Sequence, residues 1–368
     1  MSMWLGIFAA VALLAVISII YLVTRFHRFR CLERLGETHK LLSWLAAMIP
    51  VALLLCIYFY NMFTMFTVLI HLMVIWMLCD LVCMIVRKLR HQPRTRNVAG
   101  GLALLLTAAV LSAGWYFAHH VYETDYRIET KKHLGGAPLR IAMLADSHLS
   151  LTLDGEAFAA QLARIEAEKP DMLVICGDFV DDDSAKADMQ RACEALSEVN
   201  LKYGVFYVWG NHDAGYSGYR DFTADELRQT LLESGVQILE DEAAVPDDRI
   251  ALIGRLDANA PERLPAEALA APLDDSLYQI LLDHQPTDYD AEAAAGFDLV
   301  LSGHTHGGHI FPAGLIGLLI SENDAVYGME TRGDTAFIIT SGISGWAIPF
   351  KTGARSEFCI IEVSPTEP

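Results

Sequence analysis

Leu301-Ser-Gly-His-Thr-His-Gly-Gly-His309 closes an apolar run that begins at Phe297. The run reads as a buried strand. Gly303 and the Gly307-Gly308 pair read as tight turns, and His304 and His306 lie between them. Residues two apart in an extended segment face the same way, so these two imidazoles converge on one site. A His-x-His pair alone is weak, because loop histidines are more often solvated than ligating. Its weight depends on the rest of the chain.

Working back from this stretch, four more apolar strands end in short polar turns. Leu139 to Ala145 runs into Asp146-Ser-His148, and Met172 to Cys176 into Gly177-Asp178-Phe-Val-Asp181. Val205 to Trp209 delivers Gly210-Asn211-His212-Asp213, and Tyr278 to Leu282 delivers Asp283-His284. Helical patterns over about 156–168, 184–199 and 289–295 separate them, and Thr223-Ala-Asp-Glu226 has capping-box spacing for a helix to about Glu233. Shorter strands are expected near 236–239 and 250–254, and a loop or partial helix over 258–272. Each turn by itself suits Asp or Asn for local reasons. Five in succession point to an α/β sheet that gathers ligands at the carboxyl ends of its strands. Asp146, His148, Asp178, Asn211, His284, His304 and His306 offer oxygen and imidazole donors without thiolate, which suits Mn, Fe or Zn at a catalytic rather than a structural site. Seven donors exceed one ion and fit two with a shared carboxylate.

The motifs Asp-x-His, Gly-Asp-x-x-Asp, Gly-Asn-His-Asp, a lone His after a strand and Gly-His-Thr-His stand in the order of the calcineurin-like metallophosphoesterases, which the chain resembles over about 139 to 363. Ser341-Gly-Ile-Ser-Gly-Trp-Ala-Ile-Pro-Phe350 is similar to the membrane-associated branch, including transmembrane proteins with a metallophosphoesterase domain. The resemblance implies a four-layer αββα sandwich, with Asp146, His148, Asp178 and His306 on one divalent ion and Asp178, Asn211, His284 and His304 on the other. Two such ions about 3.5–4 Å apart acidify a bridging water, whose hydroxide attacks phosphorus in line. By the same resemblance, His212 faces substrate as acid or transition-state stabiliser. Asp213, next in sequence, is expected to orient it, as a carboxylate fixes an imidazole tautomer, and Asp181 either stands behind the ligands or belongs with Asp183 to a solvated acidic turn. His309 stands where the branch usually has Gln, and either contacts substrate or faces solvent. Lys351 and Ser356 stand where Arg and Pro are common.

Composition divides the chain before residue 139. Residues 1 to 136 carry a net charge of +7 and the remainder −26. The acidic part argues against nucleic acid as a partner. Trp4 to Val23 is an uncharged run long enough to cross a bilayer, without the basic start or small-residue cleavage pattern of a signal peptide. Leu41 to Cys79 has no Asp, Glu, Lys or Arg, and as one helix would be about 58 Å long. It therefore holds two spans that turn near Tyr60-Asn61, about 41–59 and 63–86. Val98 to Phe117 is the fourth. Arg25, Arg28, Arg30, Arg34 and Lys40 follow the first span, and Arg87, Lys88, Arg90, Arg94 and Arg96 follow the third. Both loops are expected in the cytoplasm and the acidic domain outside it. Asp80 is expected near the headgroups with cationic neighbours. Residues 1–121 thus read as an all-α four-helix transmembrane region, 122–138 as a polar linker, and 139–368 as the catalytic domain.

The function expected is a membrane-anchored hydrolase of a phosphomonoester, phosphodiester or pyrophosphate bond, with a lipid-linked substrate favoured by the tether and by the apolar run Ile310 to Ile320. A catalytically silent membrane receptor or scaffold that binds a phosphorylated ligand is the alternative. It would be marked by loss of ligands or of His212, and all are present.

Overall fold

The computed structural model describes residues 2–91, 97–319 and 323–366. Arg94, Arg96 and Ile320 lie outside them. The chain forms two compact units, Met1–Ala113 and Gly114–Pro368.

The first unit is helical: α1 (Ser2–Phe26), α2 (Arg30–Thr38), α3 (Lys40–Leu55) with a 3-10 turn to Phe59, α4 (Met62–Arg90) and most of α5 (Val98–His119). Among the described residues, four helices are long and apolar enough to cross a membrane: Ala9–Phe26, Lys40–Phe59, Met62–Arg90 and Val98–His119. Asn61 makes the turn between the second and third by accepting a hydrogen bond from Thr64 N at 2.7 Å, an N-cap. Helix α2 was not expected from the sequence. Asp80 has cationic partners, Arg25 at 3.0 Å and Arg28 at 3.9 Å.

The second unit continues with β1 (Tyr122–Thr130), β2 (Leu139–Leu144), α6 (Gly155–Ala167), β3 (Met172–Cys176), α7 (Lys186–Glu198), β4 (Val205–Val208), α8 (Ala224–Glu233) and β5 (Gln237–Ile238). It proceeds through β6 (Glu242–Asp247), β7 (Ile250–Gly254), α9 (Ala266–Ala270), β8 (Tyr278–Leu282), α10 (Tyr289–Ala295), β9 (Leu299–Ser302) and α11 (Ala313–Leu319), then β10 (Gly328–Arg332), β11 (Thr335–Ile339) and β12 (Glu357–Pro365). Two six-stranded sheets result, β1-β12-β2-β3-β4-β5 and β10-β11-β9-β8-β7-β6. β2 to β5 are parallel in the first, and β7, β8, β9 and β11 in the second.

Alternation along the strands builds four layers. Ile141, Met143, Val174 and Phe206 meet Leu252, Ile280, Leu301 and Ile338 between the sheets. Ala142, Leu144, Ile175 and Tyr207 turn the other way, onto Phe158, Met189 and Leu227 of α6, α7 and α8. On the far side Ile253, Leu281, Val300 and Phe337 pack with Leu269 and Tyr289 of α9 and α10. Each such aliphatic side chain, fully buried, contributes about 1.5–3 kcal/mol. The expected capping box is present on α8: Thr223 Oγ1 accepts from Glu226 N, and the Glu226 carboxylate from Thr223 N.

The polar stretch after α5 is not the tether its composition implied. Its first nine residues are β1, paired in parallel with all of β12. Tyr126 and Ile128 pack on the intersheet core while Glu123, Asp125, Arg127 and Glu129 face solvent. The stretch reads as polar because only every second residue is covered.

Candidate metal centre

Five parallel strands end on one rim, and the turns beyond them carry the chemistry. After β2, the Asp146 carboxylate is buried and accepts from His304 N at 3.0 and 3.1 Å, which ties the first sheet to the turn after β9. After β3, Asp178 Oδ1 accepts from His212 N at 2.8 Å, while Oδ2 lies 3.2 Å from His284 Nε2 and 3.6 Å from His148 Nε2. Gly210 permits this approach: a Cβ there would stand 2.2 Å from Asp178 Oδ1. His284 is oriented by Nδ1, which donates to Cys176 O at 2.7 Å and leaves Nε2 facing Asp178. His148 faces Asp181 with Nδ1, 3.2 Å from its Oδ2, and faces His306 with Nε2. That Nε2 is 3.2 Å from His306 Nε2, and His306 Nε2 is 3.7 Å from Asp146 Oδ1.

Two donor groups emerge, Asp146 with His148 and His306, and Asp178 with His284 and His304; within each, ligand atoms lie within 4.8 Å of one another. Asn211 sits at the edge of the second, its Oδ1 accepting from Gln285 Nε2 at 3.2 Å and its Nδ2 donating to Tyr216 Oη at 3.1 Å. Burial, reinforced by cationic neighbours such as His284 and His148, drives the His304 imidazole down to about 3 and His306 well below its ordinary value. Burial also lifts Asp146 to about 6, against the pull of His284 and with the push of Asp178. At Asp178 burial is outweighed by His284 and His148, which hold its carboxyl well below the usual range. Two imidazole nitrogens converging at His148 and His306, and a buried His284 Nε2 without a well-formed hydrogen bond, are what a cation between them would satisfy. The residues present fit a divalent metal in each group.

The model of the family described as "Calcineurin-like phosphoesterase" matches residues 139–308. An uncharacterized metallophosphoesterase of Campylobacter jejuni is 31% identical over 297 residues, covering 77% of this chain and 76% of that protein. The chain belongs to the calcineurin-like phosphoesterase family. An uncharacterized metallophosphoesterase of Aquifex aeolicus is 32% identical over 65% of this chain and 90% of its own length. A Danio rerio protein named "Transmembrane protein with metallophosphoesterase domain" is 28% identical over 70% of this chain, which spans 60% of that protein. As a calcineurin-like phosphoesterase the protein is a metal-dependent phosphoric ester hydrolase, and its fold is the expected sandwich behind four apolar helices.

Within this phosphoesterase site His212 lies beside the donor groups, its ring 5.2 Å from that of His148 and 5.1 Å from that of Trp346. Burial lowers its pKa despite the nearby Asp178. The expected orienting contact from Asp213 is absent. Asp213 turns inward and accepts from Gly210 N at 2.7 Å, Asp178 N at 2.9 Å and Val180 N at 3.1 Å, so it fastens the turns after β3 and β4 to each other. His309 is half-buried; its ring stacks on His306 with centroids 5.3 Å apart, and its Nε2 is buried.

Four participants were not given a place by sequence reading. Gln285 and Tyr216 hold Asn211. The Trp346 ring lies 6.5 Å from that of His148 and 5.1 Å from that of His212. Lys351, fully buried, donates from Nζ to Ser341 O at 2.6 Å and Gly342 O at 3.0 Å, the turn that packs on Asp146. Gln285 follows His284 directly, and Trp346 and Lys351 lie in or beside the Ser341–Phe350 motif, so their positions were signalled although their contacts were not.

Proposed function

We propose that the protein is a membrane-anchored phosphoesterase with two divalent ions, acting on a phosphoester that the bilayer presents, such as a phospholipid or another lipid-linked phosphate. Asp146, His148, Asp178 and His306 would hold one ion and Asp178, Asn211, His284 and His304 the other, with Mn, Fe or Zn as candidates. The position of Asp178 carries this reading: its Oδ2 lies within 3.6 Å of an imidazole nitrogen from each group, as a shared ligand requires. When bound, such a pair of ions supplies Lewis acidity to a phosphoryl group and to water.

The chain's own residues do the rest. Cys176 O fixes the tautomer of His284 and so aims its Nε2 inward, and Asp181 stands behind His148 on the Nδ1 side. His212, held through its backbone N–H by Asp178, has its ring beside that of His148 and would face the departing oxygen as acid or transition-state stabiliser. The Trp346 ring stands 5.1 Å from that of His212 and would bound the space beside it on that side. A substrate anchored in lipid accords with four apolar helices preceding the domain.

The full chain in detergent with Mn²⁺ should hydrolyse bis-p-nitrophenyl phosphate or p-nitrophenyl phosphate, and Asp178→Ala and Asn211→Ala should each abolish turnover. Activity that survives Asp178→Ala defeats the shared-ligand assignment. A phosphate-release screen of lipid extracts against soluble phosphoesters, with metal analysis of the same sample, separates lipid-linked from soluble substrates.

A further inference from the structure

The helix α11 is anomalous for a domain surface. From Ile310 to Leu319 the sequence carries no charge, and Phe311, Leu315, Ile316, Leu318 and Leu319 are 64, 56, 52, 42 and 82% exposed. An apolar patch of this kind marks an interaction site.

What it meets follows from its neighbours. The fourth apolar helix ends at His119, and the last turns of α5 are gripped by the segment just before β12. Lys351 N donates to Gly114 O at 2.9 Å, Ser356 N to Phe117 O at 2.8 Å and Ser356 Oγ to Ala118 O at 2.9 Å. Gly114 lets the chains touch, since a Cβ there would stand 2.8 Å from Thr352 Cγ2. The same segment holds the base of α11: Phe311 N donates to Thr352 Oγ1 at 3.2 Å and Gly353 N to His309 O at 2.9 Å. Gly114 lies five residues before the end of α5, about 8 Å along the helix. The base of α11 is therefore level with the last turn and a half of an apolar helix whose end shows exposed Trp115 and Tyr116, the residues that favour a membrane–water boundary.

Topology agrees. β1 starts directly after α5 and runs parallel to β12, which is antiparallel to β2, so β1 begins on the rim where β2 ends and Asp146 stands. Within the second unit, the rim that carries the metal centre is also the rim where Gly114–His119 leads into β1.

We propose that α11 is seated in the bilayer, its Phe311, Leu315, Ile316 and Leu319 side chains reaching the boundary between headgroups and acyl chains beside the metal centre. Interfacial helices lie about 5–10 Å into this boundary. This inference rests on α5 crossing a membrane and is independent of turnover.

The test uses the full chain in phospholipid vesicles, with Cys31→Ser, Cys56→Ser and Cys83→Ala as background. A polarity-sensitive fluorophore is placed at Leu315→Cys, Ile316→Cys or Leu319→Cys, and at Asp248→Cys on the opposite rim as control. The α11 labels should be quenched by lipids spin-labelled high on the acyl chain and protected severalfold from aqueous iodide, whereas the Asp248→Cys label should show the reverse. Iodide quenching equal to the control overturns the proposal. Protection from both quenchers overturns it as well, in favour of a protein partner or a second copy. Circular dichroism of each variant confirms folding, and neither quencher reads phosphate release.

Discussion

Asp146, His148, Asp178, His304 and His306 all adopt positive φ, between 35° and 70°, as does His309 at 40°. The left-handed region costs an L-residue roughly 1–2 kcal/mol, and such strain collects where surrounding structure enforces it for a functional geometry. Here the enforcing groups are visible. Asp213, spent on three backbone N–H groups, holds the Asp178 turn against the Gly210 turn. His212, next in sequence, has its ring at the site instead. The two residues should separate experimentally. His212→Asn should lower kcat for bis-p-nitrophenyl phosphate by about 10²–10⁴-fold with metal content and Tm unchanged. Asp213→Ala strands buried donors, each costing about 1–3 kcal/mol, so its Tm should fall by several degrees and bound metal with it. Equal Tm values for the two variants would remove the structural role given to Asp213. The ligands were legible because each follows an apolar strand directly. Asp213 stands in the same kind of turn, and only the course of the backbone shows that its carboxylate points away from His212.

Strands and helices carry a second polar device on the far sheet. Arg255, just after β7, is 3% exposed and bridges Asp283 at 3.2 Å, Glu292 of α10 at 3.0 Å and Asp288 at 2.7 Å; Arg263 also pairs with Asp283. Asp283 precedes His284, so this knot fixes the turn after β8. Removing the shared cation leaves two carboxylates buried, and Arg255→Met should destabilise the domain by about 3–5 kcal/mol. Adding Glu292→Leu should recover part of the loss, because one uncompensated charge is then gone. Thermal melts of both variants measure this, and an unchanged Tm for Arg255→Met would show the network to be dispensable. The parallel strands that reach the site were readable from unbroken apolar runs such as Met172–Cys176 and Tyr278–Leu282. β1, β6 and β10 were not, since each lies at a sheet edge with half its residues in solvent and carries a charged, polar signal.

At the scale of the whole molecule, four helices long and apolar enough to cross a membrane raise the question of sidedness, and the distribution of cations bears on it. Arg25, Arg28, Arg30, Arg34 and Lys40 lie between the first two apolar helices, and Arg87, Lys88 and Arg90 close the third. Asp80 neutralises only Arg25 and Arg28 in part, and acidic residues weigh little in orientation. Both basic segments should therefore stay in the cytoplasm, and four crossings then carry Gly114–Pro368 to the opposite face. The excess of acidic residues in that unit does not oppose this, because large domains cross largely regardless of charge. In a bacterial host, alkaline phosphatase fused after Pro368, which is active only when exported, should be active, and a green fluorescent protein fused there, which matures only in the cytosol, should be dark. The opposite pair of signals would mean an odd number of crossings or an inverted orientation, and would put Gly114–Pro368 in the cytosol.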